Sequence, residues 1–401
     1  MWREKWYFHL AGGQVSSFRP FRRPSSLVIA LLGALAGCAR HDEVWRPRPD
    51  AAGPEVRNID SVVLQEPDSA PLGAHTSFFA RSTAGEFFVG DMDRRTIVRF
   101  APDGRFEGTI GASGDGPGEF ALPGAIVVLP GDTLLAVGDI NHRILELFAL
   151  PSGRYRGEVA LPGQDLSSWW EFHGGEAEFA LHMSPGMLGR WHLGDSAVAS
   201  VGTLPAELLA HPEQVITHGR PTAVTTDSGL ALFYPAEPRL LLIDGKGSVR
   251  RTVRIPAARR VGEPTTLLTA PAAGRSAGPP KLSPASSADG AQRRADGSVL
   301  LAHLDIDRVV GPDGKVRTGD LRLWVSLLRP DLSAACVDGL VPVTTDIPPV
   351  PVFRGDTIFV LGRRVLADGK VRSVVYALNV GTAGCDWIPT GGVVSEGALG
   401  R

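Results

Sequence analysis

The chain has 401 residues, of which 48 are glycine, 32 are proline and 43% are hydrophobic. Glycine and proline together make up about a fifth of it, which excludes a mainly helical protein because both residues weaken helix interiors. The apolar fraction excludes a disordered chain. The formal net charge of -2 carries no sign of nucleic-acid binding, and a β-rich globular chain with many turns remains.

The first predicted element is a targeting segment. Residues 27–37 form an uninterrupted apolar run that follows several arginines, a pattern typical of a secretory signal peptide and too short to span a bilayer comfortably. The run ends in Leu35-Ala36-Gly37-Cys38, which resembles the lipobox of bacterial lipoproteins. This resemblance implies that Cys38 is acylated and becomes the first mature residue. The alternative is an ordinary signal peptide with a coincidental cysteine.

These observations divide the chain into three parts. Residues 1–37 are predicted to be a lipoprotein signal peptide, and residues 38–58, which contain several prolines, a tether. Residues 59–401 are predicted to form the folded domain.

Internal repeats organise that domain. Residues 90–100 and 138–148 match without gaps at a Gly-Asp pair, an arginine and a phenylalanine, 48 residues apart. Each copy predicts a strand, a tight turn and a second strand. Weaker copies follow at intervals of 44 to 68 residues along the sequence. Six units of four short strands predict an all-β, six-bladed β-propeller.

A glycine-rich run, Gly-Ala-Ser-Gly-Asp-Gly-Pro-Gly-Glu-Phe, occupies residues 111–120 between the first two units. Together with Asp139-x-Asn141-x-Arg143 and Pro102-Asp103-Gly104, it resembles the NHL repeat and the six-bladed propeller lipoproteins of bacteria related to it. The NHL pattern usually has one more residue between its Asp and Asn than this chain has between Asp139 and Asn141.

An alternative interpretation of the same run is a phosphate-binding loop. No Gly-Lys-Ser/Thr follows it, and β-like sequence rather than a helix comes next. The glycines are therefore predicted to shape a connection between two blades.

The resemblance to propellers also predicts how the ring closes. The strand-like run at residues 59–64 comes too early for the first unit. In propellers an N-terminal strand commonly completes the last blade. We therefore expect residues 61–64 to pair beside residues 371–378.

Candidate ligand-binding residues lie in the two matched turns. Six-bladed propellers include lactonases and lyases, which usually gather Asp, Asn or His side chains around a metal in the central channel. Here these residues are Asp91, Asp93, Asp139, Asn141 and His142. Asp and Asn in such turns also bond their own backbone, and this structural interpretation is the stronger one.

The third unit is rich in aromatic residues and histidines. Trp169 and Trp170 are candidates for stacking on a sugar or peptide, or for filling a blade interface. His173, His182 and His192 are nine and ten residues apart, which is wider than the spacing of a compact metal site. No metal site is predicted there.

An insertion rich in Ala, Pro, Gly and Ser is predicted at about residues 256–292. Residues 246–294 around it hold ten basic residues and two acidic ones. This charge is suited to an acidic polysaccharide, a lipid headgroup or an acidic protein, although a solvated loop with arginine-biased codons is the stronger interpretation.

With Cys38 taken by lipid, Cys336 and Cys385 remain. Disulfides persist in an exported protein, and the two residues occupy similar contexts 49 positions apart. We expect a disulfide between them; the alternative is two buried free thiols.

No metalloprotease motif or Cys-x-x-Cys pair is present. The sequence favours an exported protein, lipid-anchored to the cell envelope on its periplasmic or outer-membrane face. We expect a monomer without a cofactor, serving as a binding or scaffolding module for an envelope protein or glycan. The alternative is a propeller hydrolase or lyase with a metal in the central channel.

Overall fold

The computed structural model consists almost entirely of β-strands. The chain divides into two compact units, Met1–Val44 and Trp45–Arg401, and every described residue belongs to the second. Among the described residues no helix is long and apolar enough to cross a membrane. The structure describes residues 51–391 except for 74, 77, 163–164, 174–175, 184–186, 196, 204–221, 234–238, 245–247, 258–284, 311–315 and 344–350.

Most strands belong to six antiparallel sheets. The first strand, β1, is Glu55–Val63. Sheet 1 consists of β2 (Phe78–Arg81), β3 (Phe87–Asp91), β4 (Thr96–Phe100) and β5 (Phe106–Ile110). The short β6 (Ala112–Ser113) and β7 (Glu119–Phe120) pair in parallel. Sheet 2 consists of β8 (Pro123–Val128), β9 (Leu134–Asp139), β10 (Ile144–Ala149) and β11 (Arg154–Ala160).

The remaining sheets follow in chain order. Sheet 3 consists of β12 (Asp165–His173), β13 (Glu176–Met183), β14 (Met187–His192) and β15 (Ala199–Thr203). Sheet 4 consists of β16 (Thr222–Thr226), β17 (Gly229–Phe233), β18 (Arg239–Ile243) and β19 (Val249–Arg254). Sheet 5 contains β20 (Ala285–Arg293), β21 (Val299–Val310), β22 (Val316–Leu328) and β23 (Ala334–Leu340). Sheet 6 combines β24 (Pro351–Arg354), β25 (Thr357–Val365) and β26 (Val371–Gly381) with β1, and β27 is Ile388–Pro389.

This architecture is an all-β propeller fold. Sheets 1 to 4 and sheet 6 have the four antiparallel strands of a propeller blade. The prediction of six four-stranded blades is corrected to five. Sheet 5 has a fifth strand, because β27 pairs with the outer edge of β23.

Apolar side chains fill the spaces between consecutive sheets. Phe88 and Ile97 of sheet 1 share one buried cluster with Val137 and Phe148 of sheet 2. Comparable clusters join sheets 2 and 3, 4 and 5, 5 and 6, and 6 and 1. Inner strands such as β8 are therefore buried along their whole length, since both faces of each sheet meet a neighbour.

The N-terminal strand pairs with the last long strand, as predicted. In β1, Ser61 lies opposite Tyr376 and Val63 opposite Val374. The strand begins at Glu55, so residues 55–58, which were assigned to the tether, belong to sheet 6. They are mostly exposed on an outer strand, and therefore lack the apolar alternation that would have identified them.

The predicted insertion is also shorter at its C-terminal end. Residues 285–292 belong to β20, the first strand of sheet 5. A Cβ atom at Gly290 would lie 2.6 Å from the ring of Phe353 in sheet 6. Small residues at this position permit close packing of the two sheets. In the sequence alone, the same residues predicted a loop. Residues 258–284 lie outside the described residues.

The predicted disulfide is present. Cys336 of β23 is bonded to Cys385, with a Cα–Cα distance of 5.7 Å. Cys385 follows the last strand of sheet 6 and precedes β27. The bond therefore fastens the C-terminal segment to the outer strand of sheet 5.

Candidate functional site

The candidate residues of sheets 1 and 2 lie at one end of their strands, which we call the loop face. In a four-stranded antiparallel sheet, the turn between the second and third strands lies at the same end as the connections to neighbouring sheets. For sheets 1 and 2 this end holds the turns at residues 92–95 and 140–143 and the connectors at residues 64–77 and 111–122. The opposite end, which includes residues 82–86, is called the turn face.

Asp91, at the end of β3, joins a turn to a connector. Its side chain is fully buried and accepts hydrogen bonds from the backbone N–H groups of Gly73 and Arg94, both at 3.0 Å. The Arg94 guanidinium also lies 3.2 Å from the carboxylate. Both carboxylate oxygens therefore have partners within the protein, an arrangement that fixes the turn and the incoming connector.

Asp139 repeats this arrangement 48 residues later. Its buried carboxylate accepts the N–H of Ala121 at 2.7 Å and that of Leu122 at 3.3 Å, both in the connector. The N–H groups of Asn141 and His142 bond to it at 3.0 and 3.2 Å. In this set Asn141 takes part through its backbone. Asp91 and Asp139 thus have a clear structural role, and their assignment to ligand binding stays a prediction.

His142 links the turn of sheet 2 to its connector. The Nδ1 atom lies 3.1 Å from Oδ2 of Asp139, and the Nε2 atom lies 3.2 Å from Oδ1 of Asp115. The Asp115 side chain is 88% exposed. Although sequence reasoning identified His142, it did not single out Asp115, because nothing in the glycine-rich run marks which residue reaches the turn.

A second His–Asp pair occupies the same position in sheet 1, with the two residue types exchanged. Here the connector supplies His75 and the turn supplies Asp93. Their side chains are 2.6 Å apart, and the backbone N–H of His75 also donates to the carboxylate at 3.1 Å. Both side chains are exposed. The loop face of two neighbouring sheets therefore presents imidazole and carboxylate groups side by side.

Glu146 of β10 lies beneath this surface and was missed by sequence reasoning. Its side chain is buried, and its Oε2 atom has no hydrogen-bond partner among the described residues. The pKa of Glu146 is raised to about 7, chiefly by burial and in addition by the nearby carboxylates of Asp139 and Glu158. His142 and a hydrogen bond from the backbone of Gly118 oppose this increase. A carboxyl group that titrates near neutral pH therefore lies under the connector.

The gapless repeat contained a signal for Glu146. Val98 is the matching residue in sheet 1 and packs in the apolar core. The cross-strand partner of Val98 is Thr109, whereas the partner of Glu146 is Glu158. A charged residue at an otherwise apolar repeat position distinguishes sheet 2.

The glycine-rich run connects sheets 1 and 2, as predicted. Gly111 has a φ of +72°, and a Cβ atom there would lie 2.2 Å from the Phe120 ring. A side chain at this position would therefore force the connector away from Phe120, which is fully buried. The glycines allow the chain to fold tightly over the Glu146 carboxyl group.

The tryptophans and histidines of the third unit belong to sheet 3. Trp169 and Trp170 lie in β12, but their side chains are outside what the structure describes. His192 pairs with a residue of β13 that is four positions from His182. Four residues of a strand span about 13 Å, so the backbone does not bring these histidines to one point.

Within the described ranges, no group of three or more His, Cys, Asp or Glu side chains is arranged to hold a metal ion. Cys38 lies outside the described residues.

The sequence matches no protein-family model and no curated protein. Its structure resembles that of a member of the DUF4221 family from Bacteroides vulgatus, with a TM-score of 0.51, 9% identity, and coverage of 82% of this chain and 99% of the other. It also resembles a Bacteroides fragilis protein whose name describes it as exported (TM-score 0.49, 11% identity, coverage 84% and 98%). A third similar structure is an inactive virginiamycin B lyase from Staphylococcus aureus with quinupristin (TM-score 0.44, 12% identity, coverage 81% and 99%). These likenesses concern the fold alone.

Proposed function

We propose that this chain is an exported, lipid-anchored β-propeller that binds a protein or glycan partner in the cell envelope through its loop face. Export and anchoring rest on the apolar run before Cys38 and its lipobox-like ending. The proposed ring has six units, one for each sheet, and is closed by β1.

Ring closure is supported by the contact between the last and first sheets. The apolar cluster between them contains Phe79 and Phe87 of sheet 1 together with Phe359 and Val375 of sheet 6. Leu64, which directly follows β1, is fully buried in the same cluster. Burying five such side chains contributes on the order of 10 kcal/mol, at about 1.5–3 kcal/mol for each. The first and last sheets therefore pack as other neighbouring sheets do.

The observation that carries the binding proposal is the Asp115–His142–Asp139 bridge on the loop face. It ties an exposed connector to a buried carboxylate, so the exposed Asp115 group is held in place. A pre-ordered surface loses less conformational entropy when a partner binds. Ile140, on the same turn, is 41% exposed and adds an apolar contact beside these polar groups.

The proposal predicts that binding depends on the loop face. The purified full chain, cross-linked in envelope extract, should capture a partner specifically. The Asp115→Ala and His75→Ala variants should each reduce that capture at least several-fold. The matched control is Asp103→Ala, which removes an exposed aspartate from a turn of sheet 1 at the opposite end of its strands. Equal capture by all three variants would contradict a loop-face site.

Anchoring and the enzymatic alternative have separate readouts. A Cys38→Ser variant should leave the membrane fraction, whereas wild type should remain in it. Metal analysis of the purified full chain addresses the channel-metal hydrolase or lyase, and a stoichiometric metal would favour that alternative over a binding module.

A further inference from the structure

Two arginines meet at the turn face, where sheets 6 and 1 adjoin. Arg81 ends β2, and Arg354 ends β24. The Nε and Nη2 atoms of Arg354 donate to the backbone carbonyl oxygen of Arg81 at 3.0 and 2.5 Å. This bond places the Arg354 guanidinium against the backbone of Arg81 at the seam between the first strands of the two sheets, where the two positive charges interact.

The Arg81 guanidinium is held by aromatic rings rather than by acids. Its Cζ atom lies 4.4 Å from the ring centroid of Phe359 and 5.7 Å from that of Phe87. Its Nε atom is buried and has no hydrogen-bond partner among the described residues. Contact with aromatic faces leaves the N–H edge of a guanidinium free to donate. The buried Nε–H group of Arg81 therefore still lacks an acceptor among the described residues.

The nearby carboxylates already have other donors. Asp132 accepts hydrogen bonds from the backbone N–H groups of Thr83 and Ala84, at 2.7 and 3.2 Å. Glu86, in the turn that follows β2, is paired with Arg99. Among the described residues, Asp132 attracts Arg354 electrostatically, whereas the charged group that acts on Arg81 is Arg354 itself.

Burial lowers the pKa of both arginines, and their mutual repulsion lowers that of Arg81 further. Two partly buried like charges with an unused donor destabilise a fold unless something compensates them. Guanidinium groups offer paired N–H donors that fit the oxygens of a phosphate or carboxylate.

We propose that this seam binds a small oxyanion, accepted by the guanidinium groups of Arg81 and Arg354. The site lies on the turn face and is distinct from the proposed partner surface on the loop face. Its ligand chemistry is that of a phosphate or a carboxylate, and the aromatic rings of Phe359 and Phe87 form one wall.

The test is thermal unfolding of the full chain at constant ionic strength, with chloride replaced by inorganic phosphate or by acetate. At about ten times the dissociation constant, the bound anion should raise Tm by about 2–4 °C. The anion that produces the larger shift identifies the source. Absence of a shift with both anions would overturn the proposal.

Variants separate binding from a purely structural role. Arg81→Met keeps apolar contact with the rings and removes the repulsion, so its Tm in chloride should not fall, and its phosphate or acetate shift should disappear. Arg354→Gln should lose the shift as well, and it remains as the test if Arg81→Met fails to fold. Isothermal titration of wild type and of Arg354→Gln with the same anion provides a second measurement. The control is Arg57→Gln on the exposed β1, which should retain the wild-type shift. An equal shift in Arg81→Met or Arg354→Gln would refute the site.

Discussion

Sheets 1 and 2 share one gapless repeat but differ in what they enclose. In each, a buried aspartate, Asp91 or Asp139, fastens the turn to the incoming connector. The side chain that follows seven residues later is Val98 in sheet 1, and it packs among apolar neighbours. In sheet 2 it is Glu146, beside other carboxylates. The shared residues thus build the sheets, and the residues that differ between them introduce titratable groups.

The strongest test of the shared role is removal of the aspartate. Asp139→Ala should reduce the free energy of unfolding by about 3–5 kcal/mol, because several backbone N–H groups would lose a charged acceptor. Asp91→Ala should be slightly milder, since Asp91 holds fewer such groups. Urea unfolding measures both losses. Asp115→Ala, which removes an exposed carboxylate, is the control and should change stability little. A similarly small loss for Asp139→Ala would show that the repeat aspartate is not structural.

The difference between the sheets is tested at Glu146. Its folded-state pKa of about 7 lies above the ordinary value of 4.5, so the folded chain retains a proton that the unfolded chain releases. Stability from this group is fully present below pH 4.5 and is lost as the pH rises through 7. Two variants should remove this loss of stability at high pH. Glu146→Val introduces the residue that sheet 1 has at the equivalent position, and Glu146→Gln is isosteric with the protonated carboxyl group.

Comparison of urea unfolding at pH 5 and pH 8 measures this effect. Relative to wild type, Glu146→Gln should gain about 2–3 kcal/mol between these pH values. Glu158→Gln on the adjacent outer strand should weaken the pH dependence only in part, because Glu158 is one of the groups that raise the pKa of Glu146. If wild type and Glu146→Gln respond identically to pH, the carboxyl group is not protonated in the folded state near neutral pH.

The smallest expected effect comes from exchanging the turn residue. His142→Arg places the residue of sheet 1 at the equivalent position of sheet 2, opposite Asp115 and Asp139. In sheet 1 Arg94 makes the equivalent contact with the buried Asp91, and an ion pair with the exposed Asp115 contributes about 0–1 kcal/mol. The free energy of unfolding, measured in urea, should therefore change by less than about 1 kcal/mol. Hydrogen exchange of the 111–122 connector should remain slow. Rapid exchange there would show that the imidazole itself orders the connector.

Local repetition made part of this molecule predictable. The turns at Asp91 and Asp139 follow from a gapless match, because residues close in sequence determine a turn. The pairing of residues 61–64 with the last long strand and the bond between Cys336 and Cys385 followed from the expected arrangement of repeats. The predicted propeller fold was right, whereas the count of four-stranded blades was wrong for sheet 5.

Features that depend on distant chain segments were not predicted. The Glu146 carboxyl is buried because the connector and two strands surround it, and no local pattern shows that enclosure. Arg81 and Arg354 are 273 residues apart, so only the fold reveals their proximity. The first strand of sheet 5 was not predicted, because its small residues are typical of a loop. In the structure, the small size of Gly290 leaves room for the ring of Phe353.

The pairing of β1 with β26 has a consequence for the order of folding. Glu55 lies opposite Gly381, so the strand made first must wait for nearly the whole domain to be synthesised before its partner exists. Contacts between such distant residues form slowly. Meanwhile β1 and the edge of the last sheet are open to pairing with other chains. The charged and polar side chains of β1, including Glu55, Arg57 and Asp60, oppose such pairing until the final strand arrives.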